Sequence, residues 1–195
     1  TQSRSSAASD VYKRQTLEIE IRSATQTDAV RMIHDGSAHV ALMFERPGID
    51  EREAFAEAGS QLLTAVAAPG YPFSSEGKRL DAGQMADTRQ IVVASDDPKA
   101  SEPQIVLSHR VWLTDSYMAT LDLVQAGMGW AYLPHPLVQP MIDSGVLAAV
   151  KFDNMASQIR LWVDVIWYKS RPLGLGARRY LQLLREQVEA GPARS

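Results

Sequence analysis

Residues 121–134, "LDLVQAGMGWAYLP", decide the fold because they lead from a helical pattern into a buried strand within a few residues. Apolar side chains at the spacing i, i+4 and i+7 predict a helix over 116–126. Gly127 is placed to end this helix in a left-handed conformation, and Gly129 permits a close backbone approach before the apolar run "GWAYL". A helix that leads so directly into a buried strand is typical of an α/β domain.

Strand-length apolar runs and helical stripes continue on both sides of this stretch. They predict strands over 90–95 and 109–113, a helix from about 136 to 144 that ends on Gly145, strands in "VLAAV" and "IRLWVDVIW", and a final helix carrying Ala177, Tyr180, Leu181, Leu184 and Val188. No internal repeat of fixed period appears in this order of elements. The second half of the chain is therefore predicted to contain an α/β lobe.

The first half of the chain carries a shorter set of elements. Alternation in "TLEIEIR", residues 16–22, predicts a half-buried strand. Thr25 suits the start of a helix over 26–35 and Gly36 suits its end. A strand over 39–44 follows, and the short links between these elements favour a parallel βαβ unit.

Polar and turn-forming residues then break the pattern. Residues 45–59, "ERPGIDEREAFAEAG", predict a loop or a solvated helix, and an apolar strand follows over 62–68. The Pro-, Gly- and Ser-rich segment 69–78 is the best candidate for a boundary between two lobes.

Composition limits the classes of protein to which the chain can belong. Of its 195 residues, 45% are hydrophobic and 22% are charged, with a formal net charge of -3, so no overall basic field exists to hold nucleic acid. The chain has no cysteine, which excludes disulfides and thiolate metal sites and is consistent with a reducing compartment. No apolar run has the length of a membrane helix. We therefore expect a globular protein in the cytoplasm that does not contact the membrane.

The first fifteen residues, "TQSRSSAASDVYKRQ", differ from the rest of the chain. They are polar and Ser-rich, with no helical or strand period. The block "DVYKRQ" also looks like the in-frame translation of a transposon end used in preparing DNA sequencing libraries. Residues 1–15 are therefore predicted to be a disordered leader or a sequence foreign to the protein, and 190–195 a tail.

The stretch 110–147, "RVWLTDSYMATLDLVQAGMGWAYLPHPLVQPMIDSGVL", resembles the effector-binding domain of LysR-type transcriptional regulators. It is similar to the family's pattern of a polar helix start, "LVxAGxGxxxLP", a short helix and "GxL". "GSAHVALMF" at 36–44 resembles the family's "GxLDLAL", although His39 stands where Asp is usual. "RPLGLGARRYLQLL" resembles the entry to the family's last helix. The similarity extends over about 16–189.

This resemblance implies a fold of two Rossmann-like α/β lobes joined by crossover strands, like the type 2 periplasmic binding proteins. It places lobe I at 16–68 and 157–189 and lobe II at 69–156. It also implies that a winged helix-turn-helix, which would contact DNA, and a first βα unit precede the matched region. The implied assembly is a homodimer or homotetramer, with helices 26–35 and 116–126 as its contact elements.

Candidate effector contacts lie where predicted strands end and helices begin, because ligands of open α/β sheets gather there and helix N-termini favour anions. The predicted effector-binding residues are Ser23, Thr25, Gln26, Phe44, Ser95, Thr114, Asp115 and Ser116, with Arg46 close to Phe44. The expected ligand is a small molecule such as an organic acid. The hydroxyl groups at these helix starts are explained equally well as caps, and capping does not exclude ligand contact.

Other chemistries find less support in the sequence. His34, His39, His109 and His135 lack metal-ligand spacing. "GLGARR" at 174–179 lacks the third glycine and the acidic partner of a dinucleotide site, and no nucleophile motif appears. We expect no metal, no cofactor and no enzymatic activity. The four tryptophans are predicted to lie in the core, and a transport solute-binding protein of the same architecture is the alternative function.

Overall fold

The computed structural model describes residues 18–44, 46, 48, 50–72, 79–94, 105–153 and 155–190. The helices are α1 (Gln26–Asp35), α2 (Ala82–Ala86), α3 (Tyr117–Gln125), α4 (His135–Asp143) and α5 (Leu175–Ala190). The strands are β1 (Ala41–Phe44), β2 (Glu53–Ala67), β3 (Arg79–Leu80), β4 (Arg89–Val93), β5 (Arg110–Thr114), β6 (Trp130–Pro134), β7 (Ala148–Ala149), β8 (Lys151–Phe152) and β9 (Gln158–Tyr168).

The main sheet has the strand order β1-β9-β2-β6-β4-β5, with β7 beside β2, and β3 pairs with β8 separately. We call α1, β1, β9, α5 and the start of β2 the first lobe, and β3–β8, α2–α4 and the end of β2 the second lobe. Strands β4, β5 and β6 are parallel to one another, whereas β2 is antiparallel to both β9 and β6. The two-lobed α/β fold predicted from the sequence is confirmed.

The unit α3–β6 forms as predicted from residues 121–134. Gly127 takes a φ of 71° just after α3, and β6 enters the sheet with its first four residues buried. A Cβ at Gly129 would lie 2.8 Å from the carbonyl oxygen of Arg89, so only glycine lets β6 approach β4 this closely. Leu121, Val124, Ala131 and Leu133 then form one buried cluster, in which the helix covers the sheet.

The predicted loop or solvated helix over 45–59 is wrong for 53–59, because strand β2 already begins at Glu53 and runs for 15 residues, whereas the described residues of 46–52 are a loop. Its first half pairs antiparallel with β9, from Glu53 opposite Tyr168 onward. The Ala- and Glu-rich sequence has little strand propensity of its own, so the partner strand determines its conformation. A register shift at Glu57–Gly59 bends the pairing, and Gly59 takes a φ of 113° there.

The predicted parallel βαβ unit of the first lobe is also wrong. Residues 18–22 are not a strand in the described part of this segment, and Ile19 and Ile21 are exposed. Alternation alone does not make a strand, and no neighbouring strand pairs with these residues in the described ranges. Strand β1 instead pairs antiparallel with β9, and α1 covers that pair through Ile33, Met43 and Ile166.

Tryptophan placement agrees with the predicted core only in part. Trp130 is 1% exposed, and its indole N–H donates to Thr88 Oγ1 over 2.8 Å. Trp112 is 41% exposed on β5, with the Arg89 guanidinium 4.1 Å from its ring centroid, and Trp162 is 51% exposed on β9. These last two are not core residues, because β5 is an edge strand and the Trp162 face of β9 is left open.

Within the described ranges, no helix combines the length and the apolar character that a membrane span requires.

Candidate functional site

A cavity of about 550 Å³ opens between the two lobes. Its walls come from the start of α1 and from β1 in the first lobe, and from β4 and the start of α3 in the second. Its floor includes the middle of β2 and β9, through Gln61 and Leu161. Segments far apart in sequence therefore meet at one concave site of the size that small-molecule ligands occupy.

The first-lobe wall is built on the N-terminus of α1. Thr25 is the N-cap, and its hydroxyl oxygen accepts from the backbone N–H of Asp28 over 3.2 Å. The same hydroxyl lies 3.1 Å from the Asp28 carboxylate, which also pairs with Arg31. Ser23, Thr25 and Gln26 all line the cavity. All three residues predicted at this helix start thus line the cleft, and Thr25 also caps the helix.

The second-lobe wall is built on the N-terminus of α3. Ser116 caps the helix, and its hydroxyl oxygen accepts from the backbone N–H of Met118 over 3.2 Å. Asp115 and Ser116 both line the cavity. Thr114 does not line it, because its hydroxyl is directed to the buried hydroxyl of Thr120, 2.6 Å away. Thr114 therefore braces the first turn of α3 from behind.

The remaining predicted positions also include some that line the cavity and some that do not. Phe44 lines the cavity at the end of β1. Arg46 does not line it but forms an ion pair with Glu53, whose side chain is fully buried and also lies 2.8 Å from His34 Nε2. Ser95 lies outside the described residues, although Ala94 before it lines the cavity.

Several lining residues were not predicted from the sequence. Gln61, Leu161 and Val163 lie on the crossover strands, and Tyr132 lies on β6. The incorrect loop over 53–59 hid the length of β2, so its middle was not considered as part of a site. The sequence of 53–61 offers no clear local strand signal, because its strand conformation depends on pairing with β9.

Burial lowers the acidity of the Tyr132 phenol in the cavity wall. It raises the pKa of Tyr132 to about 12, and the phenol donates to the carbonyl oxygen of Ala156 over 2.7 Å. At neutral pH this side chain is therefore an uncharged ring in the cavity wall. Both ends of the Gln90 side-chain amide already have hydrogen-bond partners, because it donates to the Ile105 carbonyl and accepts from the Leu107 N–H over 2.7 Å.

The described histidines do not gather into a metal site. His34 contacts Glu53, and His135 Nδ1 lies 3.0 Å from Thr64 Oγ1, while His39 and His109 are exposed. In the described part of the chain, no group of three or more His, Cys, Asp or Glu side chains could hold a metal ion.

Comparison with known proteins gives a consistent assignment. The family model described as "LysR substrate binding domain" matches residues 13–189. A curated relative, the HTH-type transcriptional regulator AceR of Acinetobacter baumannii, is 34% identical over 173 residues. The alignment covers 88% of this chain and 57% of AceR, so the chain spans little more than half the length of that relative.

Solved structures show the same fold at lower identity. The regulatory domain of MetR, a LysR family regulator from N. meningitidis, superposes with a TM-score of 0.66 at 17% identity, covering 97% of this chain and 88% of that one. Full-length LysG from Corynebacterium glutamicum with the effector Arg bound superposes with a TM-score of 0.62 at 16% identity, covering 92% and 61%.

Proposed function

This chain belongs to the LysR substrate-binding domain family, and from that premise we propose that it senses a small-molecule effector on behalf of a DNA-binding transcription regulator. The observation that carries the proposal is the cavity between the lobes, which brings Thr25 of one lobe and Ser116 of the other to one site. The relation to AceR favours a regulator over a transport solute-binding protein.

The proposed mechanism is a change in the relation between the two lobes. A ligand that contacts both helix starts favours whichever arrangement of the lobes lets it contact both at once. Such a bias reaches DNA only through a second site, so we propose that the intact regulator is a homodimer or homotetramer with a winged helix-turn-helix. We propose that the regulator acts in the cytoplasm and that it does not chemically convert its effector.

Two helix N-termini at the cavity favour an organic acid as one candidate class of effector, because their N–H groups attract anions. LysG is described with bound Arg, so an amino acid is a related candidate. The charge of the cavity lining bears on the choice between these classes of ligand.

Hydrogen–deuterium exchange tests the cavity as the effector site. The purified chain is screened against small acids, amines and alcohols by thermal shift, and a hit is expected to slow amide exchange at both 25–29 and 116–120. Gln61→Trp fills the cavity and should abolish this protection. Ser60→Trp is the matched control, since Ser60 is exposed one residue away on the same strand. Protection confined to one lobe would contradict the proposal.

The regulator assignment has a separate test. The reading frame upstream of this segment in the gene is expected to encode a helix-turn-helix, and effector addition should change promoter binding by the full-length product. A signal sequence in that position would overturn the assignment in favour of transport.

A further inference from the structure

One carboxylate dominates the charge of the described cavity lining. The inference drawn from it rests on the proposed effector function. Asp115 is the only charged side chain among the described residues that line the cavity, and no lysine, arginine or histidine accompanies it there. The Asp115 carboxylate is exposed, and within the described ranges it forms no ion pair or hydrogen bond with another side chain. The carboxylate of Asp115 therefore attracts a cationic group of a ligand and repels an anionic one.

The two helix N-termini do not reverse this sign. Asp28 lies in the first turn of α1 and accepts from the Thr25 hydroxyl, so the positive end of that helix already has a carboxylate. Asp115 directly precedes Ser116, the N-cap of α3, and gives the second helix the same compensation. An anion bound at either end would lie within one helical turn of an existing negative charge.

Four arginines lie within two residues of a lining segment, and all of them have other partners. Arg160, which adjoins Leu161, donates to the Ser60 hydroxyl oxygen over 2.8 Å. Arg22 pairs with Glu20, and Arg46 pairs with the buried Glu53. The guanidinium of Arg89 lies over the ring of Trp112, 4.1 Å from its centroid. None of the four lines the cavity, so recruiting one to an anionic ligand would break a contact that the fold already makes.

The uncharged part of the lining suits an apolar or aromatic body. Rings of Phe44, Tyr117 and Tyr132 line the same cavity as Asp115, together with Leu161 and other apolar side chains. Aromatic faces attract cations as well as apolar groups. The phenol of Tyr132 is neutral at physiological pH, as an ordinary tyrosine is, so it does not add a competing charge.

We propose that the effector is a cationic amphiphile, with an ammonium, amidinium or guanidinium group at Asp115 and an apolar body against the aromatic wall. This assignment deepens the proposed function and departs from the organic acid expected from the helix starts alone. Asp115 acts in it as the residue that determines charge specificity.

Three probes of one shape test the assignment: 3-phenylpropylamine, 3-phenylpropan-1-ol and 3-phenylpropionate. Their affinities for the purified chain are measured by calorimetry at low and high salt. The amine is expected to bind tightest and the carboxylate weakest, and only the amine should lose affinity as salt rises, because screening weakens its ion pair.

Substitutions locate the effect. Asp115→Asn should lower the affinity of the amine about threefold to fivefold, the range of an ion pair to an exposed carboxylate, and leave the alcohol unchanged. Asp115→Lys should reverse the order of amine and carboxylate. Asp122→Asn is the matched control, since it removes the same charge from an exposed position of α3 outside the cavity lining.

The outcomes separate the two proposals. If the carboxylate binds tightest, or if Asp122→Asn weakens the amine as much as Asp115→Asn does, the charge assignment is overturned while the cavity remains an effector site. Failure of the amine to bind at millimolar concentration would also overturn the charge assignment, whereas the proposed function is decided separately by the exchange experiment with hits from the wider screen.

Discussion

The two helix–strand units that flank the cavity are built on the same plan but stabilised differently. Each has a hydroxyl N-cap, a left-handed glycine at the helix end and a strand that enters the main sheet. The unit α3–β6 is closed by a continuous apolar cluster, whereas α1–β1 has a small cluster and a buried carboxylate, Glu53, held by Arg46 and His34. One local pattern can therefore be completed either by apolar burial or by ion pairs.

The largest loss of stability is expected where the α3–β6 unit is most tightly packed. Gly129→Ala places a Cβ 2.8 Å from the Arg89 carbonyl oxygen and 3.0 Å from Ile91 Cγ1, so β6 must move away from β4. We expect the free energy of unfolding to fall by about 3 kcal/mol in urea denaturation. Gly48→Ala is the control, since a Cβ there meets nothing within 4 Å. Equal losses of unfolding free energy in the two variants would show that close packing at Gly129 does not determine stability.

Glu53→Gln tests the ionic unit. The side chain keeps its shape but leaves the partly buried guanidinium of Arg46 without a counter-charge. Unfolding free energy should fall by about 2 kcal/mol, less than for a fully buried pair because Arg46 retains some contact with water. Glu57→Gln, at an exposed position of the same strand, should be near neutral. A neutral result at Glu53 would mean that apolar contacts alone hold α1–β1.

Substitution of the glycine that ends each helix allows the stability of the two units to be compared directly. Gly127→Ala meets only Ala68 Cβ at 4.0 Å, so it should cost about 1 kcal/mol for the φ of 71° alone. A Cβ at Gly36 would collide with the Arg171 guanidinium, which donates to the carbonyl oxygens of Ile33 and His34. Gly36→Ala should therefore cost about 1.5 kcal/mol by thermal unfolding, and the reverse order would contradict this account.

The smallest effect concerns alkaline pH and the second lobe. Burial raises the folded-state pKa of Tyr132 to about 12 from 10, so its contribution to stability is complete below pH 10 and is lost as the pH rises toward 12. From pH 9 to pH 11 this side chain should remove about 1 kcal/mol of unfolding free energy. Tyr132→Phe should flatten that slope, whereas Glu53→Gln should leave it unchanged.

Local signals were sufficient to predict part of this molecule. Thr25, Gly36 and Gly127 were placed correctly, because caps and left-handed turns depend on residues within one helical turn. Ser23, Gln26 and Ser116 were predicted as site residues from the same helix starts, and the structure brings them to one cavity. Their role in binding remains a prediction.

Non-local pairing explains what the sequence did not reveal. The start of β2 becomes a strand only because β9, about a hundred residues later, lies beside it. Residues 18–22 have the alternation of a strand, but they are exposed and unpaired in the described structure. Thr114 differs in that its contact with Thr120 is only six residues away in sequence, but it depends on how α3 turns back over β5.

The crossover strands also determine the mechanics of the molecule. Strand β1 pairs with β9 at 163–166 and β6 pairs with β2 at 63–67, so Ser60–Leu62 and Arg160–Trp162 pair only with each other in the described sheet. A bare two-stranded ribbon twists more readily than a wide sheet. We expect this neck to be the part that twists when the lobes move relative to each other, and Gln61 and Leu161 place the cavity floor directly on it. We therefore predict that a ligand bound against this floor changes the twist of the neck and with it the relative orientation of the two lobes.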